Sequence, residues 1–143
     1  MKLILTSLIS LTIGFNCLAQ SYNTKSTHAL KNETATTIQS GYDAYKKIAL
    51  NIWDYAELGY KEKKSSALLQ QTLKDNGFTV EAGVAGMPTA FVATYGSGSP
   101  VIGILAEYDA LPGLSQDNSS TKTTMANKPN GHGCGHHLFG TGS

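Results

Sequence analysis

The amino-acid sequence predicts an α/β layered domain, of which we expect this chain to hold the first part. Two segments with helical periodicity come first, three short extended segments follow them, and the last one contains an uninterrupted apolar run over residues 101–106. A helix with one apolar face and a strand with two apolar faces need further layers to cover them. The order of the segments therefore indicates helices packed against a sheet.

Residues 1–19 are predicted to be a signal peptide. Lys2 gives a positive start, Leu3 to Phe15 is an uncharged run rich in Leu and Ile, and Cys17 and Ala19 place small residues where a signal peptidase cleaves. We therefore expect cleavage after Ala19, export to the periplasm or the extracellular space, and no membrane association afterwards. The alternatives are a membrane-spanning anchor, which several polar residues in the run oppose, and a lipid anchor on Cys17.

Residues 20–37 are predicted to form a flexible leader, because Ser, Thr, Asn and Lys dominate and few apolar side chains can offset the entropy of ordering. The domain is predicted to occupy residues 38–143. Apolar residues then recur at three- and four-residue steps, which predicts a helix from about Thr37 to Glu57, ending before Gly59. Its predicted apolar face consists of Ile38, Tyr42, Tyr45, Ile48, Ala49, Ile52, Trp53 and Ala56.

A second helix is predicted from about Lys61 to Asn76, with Gly77 as its left-handed cap. The break at residues 96–100 predicts a tight turn that joins two strands in a hairpin, and the apolar run places the second of them in the middle of a sheet. Residues 111–130 are predicted to form a polar loop, after which a further helix begins. The predicted extended segments are Phe78 to Ala82, Thr89 to Tyr95 and Val101 to Glu107.

The composition excludes several classes of protein. With 143 residues, 41% of them hydrophobic, and 11 Lys+Arg against 10 Asp+Glu, the chain is too apolar and too weakly charged to be disordered. Two cysteines are too few for a disulfide scaffold, and only Cys134 remains after signal cleavage. Every basic residue is Lys and the formal net charge is +1, so a nucleic-acid partner is not expected.

Three of the four histidines lie with Cys134 in the segment Gly131-His132-Gly133-Cys134-Gly135-His136-His137. Thiolate and imidazole are natural ligands of zinc and similar ions, and the flanking glycines let a loop fold around an ion. We expect Cys134 and His136 to bind one metal ion. The alternatives are a solvated turn, a phosphate loop and a Cys/His nucleophilic dyad, although a dinucleotide fingerprint would need Gly where His136 stands.

Two carboxylates, Glu107 and Asp109, lie at the end of the predicted central strand. Ligand crevices of α/β sheets form at the carboxyl ends of strands, where carboxylates can bind a metal or hold a ligating histidine. The alternative is an acidic, solvated strand end before the turn at Pro112. The Cys/His segment that follows favours the metal-binding interpretation.

A series of ordered motifs resembles the start of the metal-dependent amidohydrolases, a family of metallopeptidases and aminoacylases. The resemblance covers about Ile38 to Ser143. The motifs are Ala56-Glu57-Leu58-Gly59-Tyr60, Ser65-Ser66-Ala67, Asn76-Gly77-Phe78, Gly86-Met87-Pro88-Thr89-Ala90, Tyr108-Asp109-Ala110-Leu111-Pro112 and Gly131-His132-Gly133-Cys134-Gly135-His136.

The resemblance implies a catalytic domain built as a three-layer α/β sandwich with two divalent metal ions, Zn or Mn, and a smaller inserted domain used for dimerisation. It also implies a small-molecule substrate, either an N-acyl or aminobenzoyl amino acid or a dipeptide. By position, Cys134 and His136 match metal ligands, and Asp109 matches the catalytic acid that orients a ligand. The resemblance leaves the roles of Glu107, His132 and His137 open.

The family's general-base glutamate and its remaining ligands fall after the position of Ser143. We therefore expect the complete enzyme to be a homodimeric hydrolase of amide bonds and the chain alone to be inactive, since metal-assisted hydrolysis needs at least three protein ligands and a base. The alternatives are a non-catalytic truncated remnant with at most weak metal binding and a small module folded by its ion.

Overall fold

The computed structural model describes residues 24–143. Contacts divide the chain between Thr37 and Ile38 into two units, and none of the helices in the described residues has the length and apolar composition of a membrane span. The predicted signal peptide, residues 1–19, lies outside the described part. The elements are α1 (Thr24–Ser40), α2 (Tyr42–Tyr55), α3 (Lys63–Asp75), β1 (Thr79–Ala82), a 3₁₀ turn (Val84–Gly86), β2 (Phe91–Thr94), β3 (Leu111–Pro112), β4 (Asn130–Gly131) and α4 (His136–Gly142).

Helix α1 differs from the flexible leader predicted over residues 20–37, because Thr24–Ser40 is helical. The segment contains neither Gly nor Pro, so no residue in it breaks a helix. The hydroxyls of Thr34 and Thr36 donate to the carbonyls of Leu30 and Asn32, 2.8 Å and 2.9 Å away. Polar composition gave the segment little to bury, but local propensity was sufficient for a helix.

Helix α2 is shorter than the helix predicted from Thr37 to Glu57, because the chain turns at Gly41. The Tyr45 ring covers this glycine so closely that a Cβ there would lie 2.5 Å from Cε2 of the ring. Only the second half of the predicted apolar face is buried: Ile52 is fully buried, whereas Ile38 is 59% exposed. The helix ends at Ala56, which is left-handed and donates its N–H to the Ile52 carbonyl.

Helix α3 confirms the helix predicted over residues 61–76. The Glu57 carboxylate stabilises its first turn by accepting hydrogen bonds from the Lys64 N–H, the Ser65 N–H and the Ser65 hydroxyl, at 2.8–3.0 Å. At the other end Gly77 has the predicted left-handed conformation, with φ of +87°. The Phe78 N–H then returns to the Leu73 carbonyl, 3.0 Å away, which closes the cap.

Replacing Glu57 with alanine should lower the free energy of unfolding by about 1–2 kcal/mol, because the first turn of α3 loses the acceptor of its free N–H groups and a favourable negative charge. Urea unfolding followed by circular dichroism measures the change. Glu33→Ala, at an exposed position of α1, is the control and should have little effect. Equal stability of the two variants would contradict the capping role of Glu57.

The strands pair differently from the predicted hairpin. β1 and β2 are antiparallel neighbours, with Thr79 opposite Thr94 and Ala82 opposite Phe91. Residues 101–107 form no strand, and Val101 and Ile102 are 87% and 83% exposed, so the predicted central strand is wrong for this chain. An apolar run becomes a central strand only where neighbouring strands supply hydrogen bonds, and within residues 24–143 no strand pairs with this segment.

The segment that follows is fixed against the end of α2. Ala110 is 2% exposed, donates its N–H to the Glu57 carbonyl 2.7 Å away, and forms a parallel bridge with Leu58. β3 and β4 pair at the two ends of the predicted loop over residues 111–130. Helix α4, predicted to begin after Gly131, packs against α2. Helices followed by small antiparallel strands are compatible with the predicted α/β class.

Candidate metal centre

The side chain of His136 lies between two carboxylates. Its Nδ1 is 2.7 Å from Oδ1 of Asp109, and its Nε2 is 2.9 Å from Oε2 of Glu107. One ligand atom from each of the three residues lies within 4.8 Å of the other two. We call these three residues the metal cluster. The structure thus brings together three residues that the sequence singled out, namely His136 and the two carboxylates Glu107 and Asp109.

Local geometry explains why the two carboxylates face the same histidine. Glu107 and Asp109 are two residues apart in a segment without helical structure, and alternate side chains of an extended chain point to the same side. Buried Ala110 fixes the end of that segment. Gly140 brings α4 against it, because a Cβ on this glycine would lie only 2.8 Å from the Glu107 carbonyl oxygen.

His132 anchors the segment that leads to His136. This side chain is 7% exposed, and its Nε2 lies 3.0 Å from the Ile52 carbonyl oxygen, to which it donates when protonated there. The bond ties the segment before α4 to α2. Gly135, left-handed with φ of +81°, then turns the chain into α4, whose first residue is His136.

The metal cluster has the donor set of a site for a divalent ion, since imidazole and carboxylate are ligands of Zn²⁺ and Mn²⁺. Asp109 forms a hydrogen bond with Nδ1 of His136. This bond fixes the ring and leaves Nε2 as the nitrogen that would bind an ion. Two atoms bound to one tetrahedral Zn²⁺ lie roughly 3.3 Å apart. His136 Nε2 and Glu107 Oε2 are 2.9 Å apart, a hydrogen-bond distance, so the two atoms would have to separate slightly to share such an ion.

Cys134 lies beside the metal cluster without joining it. Its side chain is exposed, and its Sγ is 3.8 Å from the main-chain oxygen of Asp109. Its role as a ligand therefore stays a prediction from the sequence. Glu107 contacts His136 instead, which agrees with the expectation that a carboxylate at this point of the chain can hold a ligating histidine, whereas the resemblance left its role open. The two-residue spacing from Asp109 was the signal that could have placed both carboxylates on one side.

The rings of the buried His132 and the half-buried His137 pack against each other. Their ring centroids are 5.1 Å apart, and among the described residues neither Nδ1 has a hydrogen-bond partner. Burial lowers the pKa of His132, an effect partly offset by its hydrogen bond to Ile52. Burial also lowers the pKa of His137, and the neighbouring His132 lowers it further. Both shifts favour the neutral imidazole in the folded chain.

Stability should consequently fall in acid. Because both pKa values lie below the ordinary 6.5 in the folded chain, the unfolded chain binds more protons at low pH. The stabilisation is complete above pH 6.5 and is lost as the pH falls through the folded pKa values. Urea unfolding in a chelating buffer at decreasing pH should show His137→Phe losing less stability than the wild type. His28→Phe, at an exposed position, should match the wild type, and an unchanged acid slope in His137→Phe would contradict this account.

Curated proteins match most of this chain but only a small part of their own length. The chain is 45% identical to a subunit of the p-aminobenzoyl-glutamate hydrolase of Escherichia coli K12 over 105 residues, which are 73% of this chain and 22% of the relative. It is 37% and 36% identical to thermostable carboxypeptidases 1 and 2 of Saccharolobus solfataricus over 92 residues, which are 63% of this chain and 23% of each relative. No protein-family profile matches the chain. The chain thus spans less than a quarter of the length of these relatives.

Proposed function

We propose that the chain, which belongs to an amidohydrolase and peptidase family over the residues that it shares with these relatives, is the N-terminal part of a metal-dependent amidohydrolase. The complete enzyme cleaves the amide bond of an N-acyl or aminobenzoyl amino acid or of a dipeptide. The relatives named as a hydrolase and as carboxypeptidases support this reaction class. The one structural observation that carries the proposal is His136 held between Asp109 and Glu107.

Each member of the metal cluster has a distinct part in this proposal. A bound divalent ion supplies a Lewis acid for the amide carbonyl and for the attacking water. Asp109 accepts a hydrogen bond from Nδ1–H of His136, which places the lone pair of the ring on Nε2, the nitrogen that would bind the ion. Glu107, whose side chain is 48% exposed, adds a second negative charge on the side that solvent and substrate can reach. Cys134 is proposed as a further ligand from its position in the sequence.

The proposal includes export and an inactive fragment. Export is supported by the charge and apolar pattern of residues 1–19. The 143-residue chain alone is proposed to be inactive, because the resemblance implies a general base and further metal ligands beyond the residues matched here, and metal-assisted hydrolysis needs them. We propose that the complete enzyme is a homodimer, as the resemblance implies.

A second candidate is a non-catalytic product with at most weak metal binding. The observation that favours it is the exposure of the apolar run, in which Ile104 and Leu105 are 73% and 75% exposed. A folded product with such a surface would tend to associate through it. The chelator experiment below separates the two candidates, because only an enzyme loses and regains hydrolysis.

The test is hydrolysis of p-aminobenzoyl-glutamate and of N-acyl amino acids by the full-length gene product. We expect a chelator to abolish activity and added Zn²⁺ or Mn²⁺ to restore it. Asp109→Asn should lower kcat/KM by about 10–100-fold, because the orienting partner of His136 is weakened. Asp117→Asn, in the loop that follows, is the matched control and should retain activity. Hydrolysis that survives both chelation and Asp109→Asn would refute the proposal.

A further inference from the structure

The segment that carries both carboxylates of the metal cluster belongs to no strand or helix. Within residues 24–143, no hydrogen bond between main-chain groups is found for residues 101–109. The first such bond after them runs from the Ala110 N–H to the Glu57 carbonyl, 2.7 Å away. A segment without backbone pairing is free to shift unless its side chains are anchored. The positions of Glu107 and Asp109 therefore depend on side-chain contacts.

Tyr108 stands between the two carboxylates and makes contacts of a different kind. Its ring stacks on Phe91 of β2, with the ring centroids 6.0 Å apart and the planes 25° from parallel. Its hydroxyl donates a hydrogen bond to the Thr89 carbonyl. In an extended segment, neighbouring side chains point to opposite sides. Tyr108 thus attaches the segment to residues 89–91, while Glu107 and Asp109 contact His136.

The acceptor of the Tyr108 hydroxyl is itself held in place. Thr89 is 6% exposed, and its carbonyl also accepts a hydrogen bond from the hydroxyl of Ser66 in α3, 2.7 Å away. The Thr89 hydroxyl donates to Oε2 of the buried Glu62, at 2.7 Å. Polar groups in a satisfied buried network are rigid. The Tyr108 hydroxyl is consequently bonded to a fixed point of the fold.

Helix α4, which carries His136, packs against the other end of Tyr108. A Cβ on Gly140 of this helix would lie 2.9 Å from Cβ of Tyr108 and 2.8 Å from the Glu107 carbonyl oxygen. The tyrosine is therefore in contact with α4 near its main chain and with residues 89–91 at its ring and hydroxyl. A shift of Tyr108 would move both neighbouring carboxylates relative to His136.

We propose that Tyr108 is a positioning residue of the metal cluster, whose ring and hydroxyl hold Glu107 and Asp109 against His136 and thereby raise the affinity for the ion. That the cluster binds a divalent ion rests on the proposed function. Tyr108 touches neither the ion nor the substrate, and it acts only through its two neighbours in the chain. Its hydroxyl therefore contributes to metal affinity as well as to folding.

The test measures the Zn²⁺ affinity of the full-length gene product by competition against a fluorescent chelator. Tyr108→Phe keeps the ring, removes the hydroxyl and should weaken Zn²⁺ binding by about 5-fold, the effect of one neutral hydrogen bond. Ser66→Ala is the matched control, because it removes the other donor to the same Thr89 carbonyl but lies in α3. It should lower the resistance to urea and bind Zn²⁺ like the wild type.

A second variant keeps the inference testable if Tyr108→Phe fails to fold. Phe91→Leu leaves the Tyr108 hydroxyl in place, removes the ring on which it stacks, and should also weaken Zn²⁺ binding by about 5-fold. Wild-type affinity in both variants, or an equal loss in Ser66→Ala, would overturn the inference and leave Tyr108 a purely structural residue. A wild type that binds no Zn²⁺ would overturn the proposed function with it. Zn²⁺ binding that depends on Tyr108 in a protein without chelator-sensitive hydrolysis would instead reject the proposed function alone.

Discussion

Replacing His136 with alanine is expected to weaken Zn²⁺ binding by more than about 100-fold. Removing a residue that only orients a ligand weakens metal binding by about 10–100-fold, and loss of the ligand itself should weaken it further. Nε2 of this histidine is the one imidazole atom that the metal cluster leaves for the ion, and Glu107 lies 2.9 Å from it. Competition against a fluorescent chelator measures the affinity.

A graded series shows whether this effect is specific. Asp109→Asn should weaken Zn²⁺ binding by about 10–100-fold, since Nδ1 of His136 loses its charged acceptor. His28→Ala, at an exposed position of α1, should leave the affinity unchanged. Cys134→Ser tests the sequence-based prediction that Cys134 is a metal ligand. On that prediction, loss of the thiolate weakens Zn²⁺ binding. If His136→Ala bound Zn²⁺ as tightly as His28→Ala, the metal cluster would not be the binding site.

Replacing Gly131 with alanine is expected to lower the free energy of unfolding by about 3 kcal/mol, the upper range for forcing extra volume into a packed site. A Cβ there would lie 1.9 Å from the Leu114 carbonyl oxygen and 2.8 Å from its carbonyl carbon. These are backbone atoms and cannot move aside as a flexible side chain would. The pairing of Leu111 with Gly131 must shift, and the anchor at His132 shifts with it.

The control for this variant is Gly103→Ala, because a Cβ on Gly103 meets no atom within 4 Å. Urea unfolding should separate the two variants, with Gly103→Ala within about 0.5 kcal/mol of the wild type, as for most surface substitutions. We also expect Gly131→Ala to bind Zn²⁺ more weakly, since the segment that carries His136 is displaced. Equal stability of both variants would show that Gly131 does not approach the Leu114 carbonyl as closely as the structure places it.

The features that sequence reasoning predicted well are local ones. Helix α3 and its cap depend on residues close together in the chain, since Gly77 supplies the left-handed conformation and Phe78 closes the turn onto Leu73. The break at Gly41 was missed because it depends on the Tyr45 ring packing over the glycine, which periodicity does not reveal. Helix α1 was missed because low hydrophobicity was given more weight than the absence of helix-breaking residues.

The apolar run at residues 101–106 marks the limit of such reasoning. Its composition predicts a central strand, but strand structure also requires partners, and no strand of the described chain pairs with it. The candidate site shows the same division. Glu107, Asp109 and His136 were found from residue type and order, whereas the contact of Glu107 with Nε2 of His136 emerged only from the three-dimensional structure.

The most direct test of the central claim is anomalous X-ray scattering at the zinc edge from crystals of the full-length gene product grown with Zn²⁺. The account predicts an anomalous peak within bonding distance of Nε2 of His136, with a carboxylate oxygen of Glu107 or the thiolate of Cys134 as a neighbouring ligand, and with Asp109 on Nδ1. Peaks confined to other parts of the molecule, with His136 still paired to both carboxylates, would contradict it.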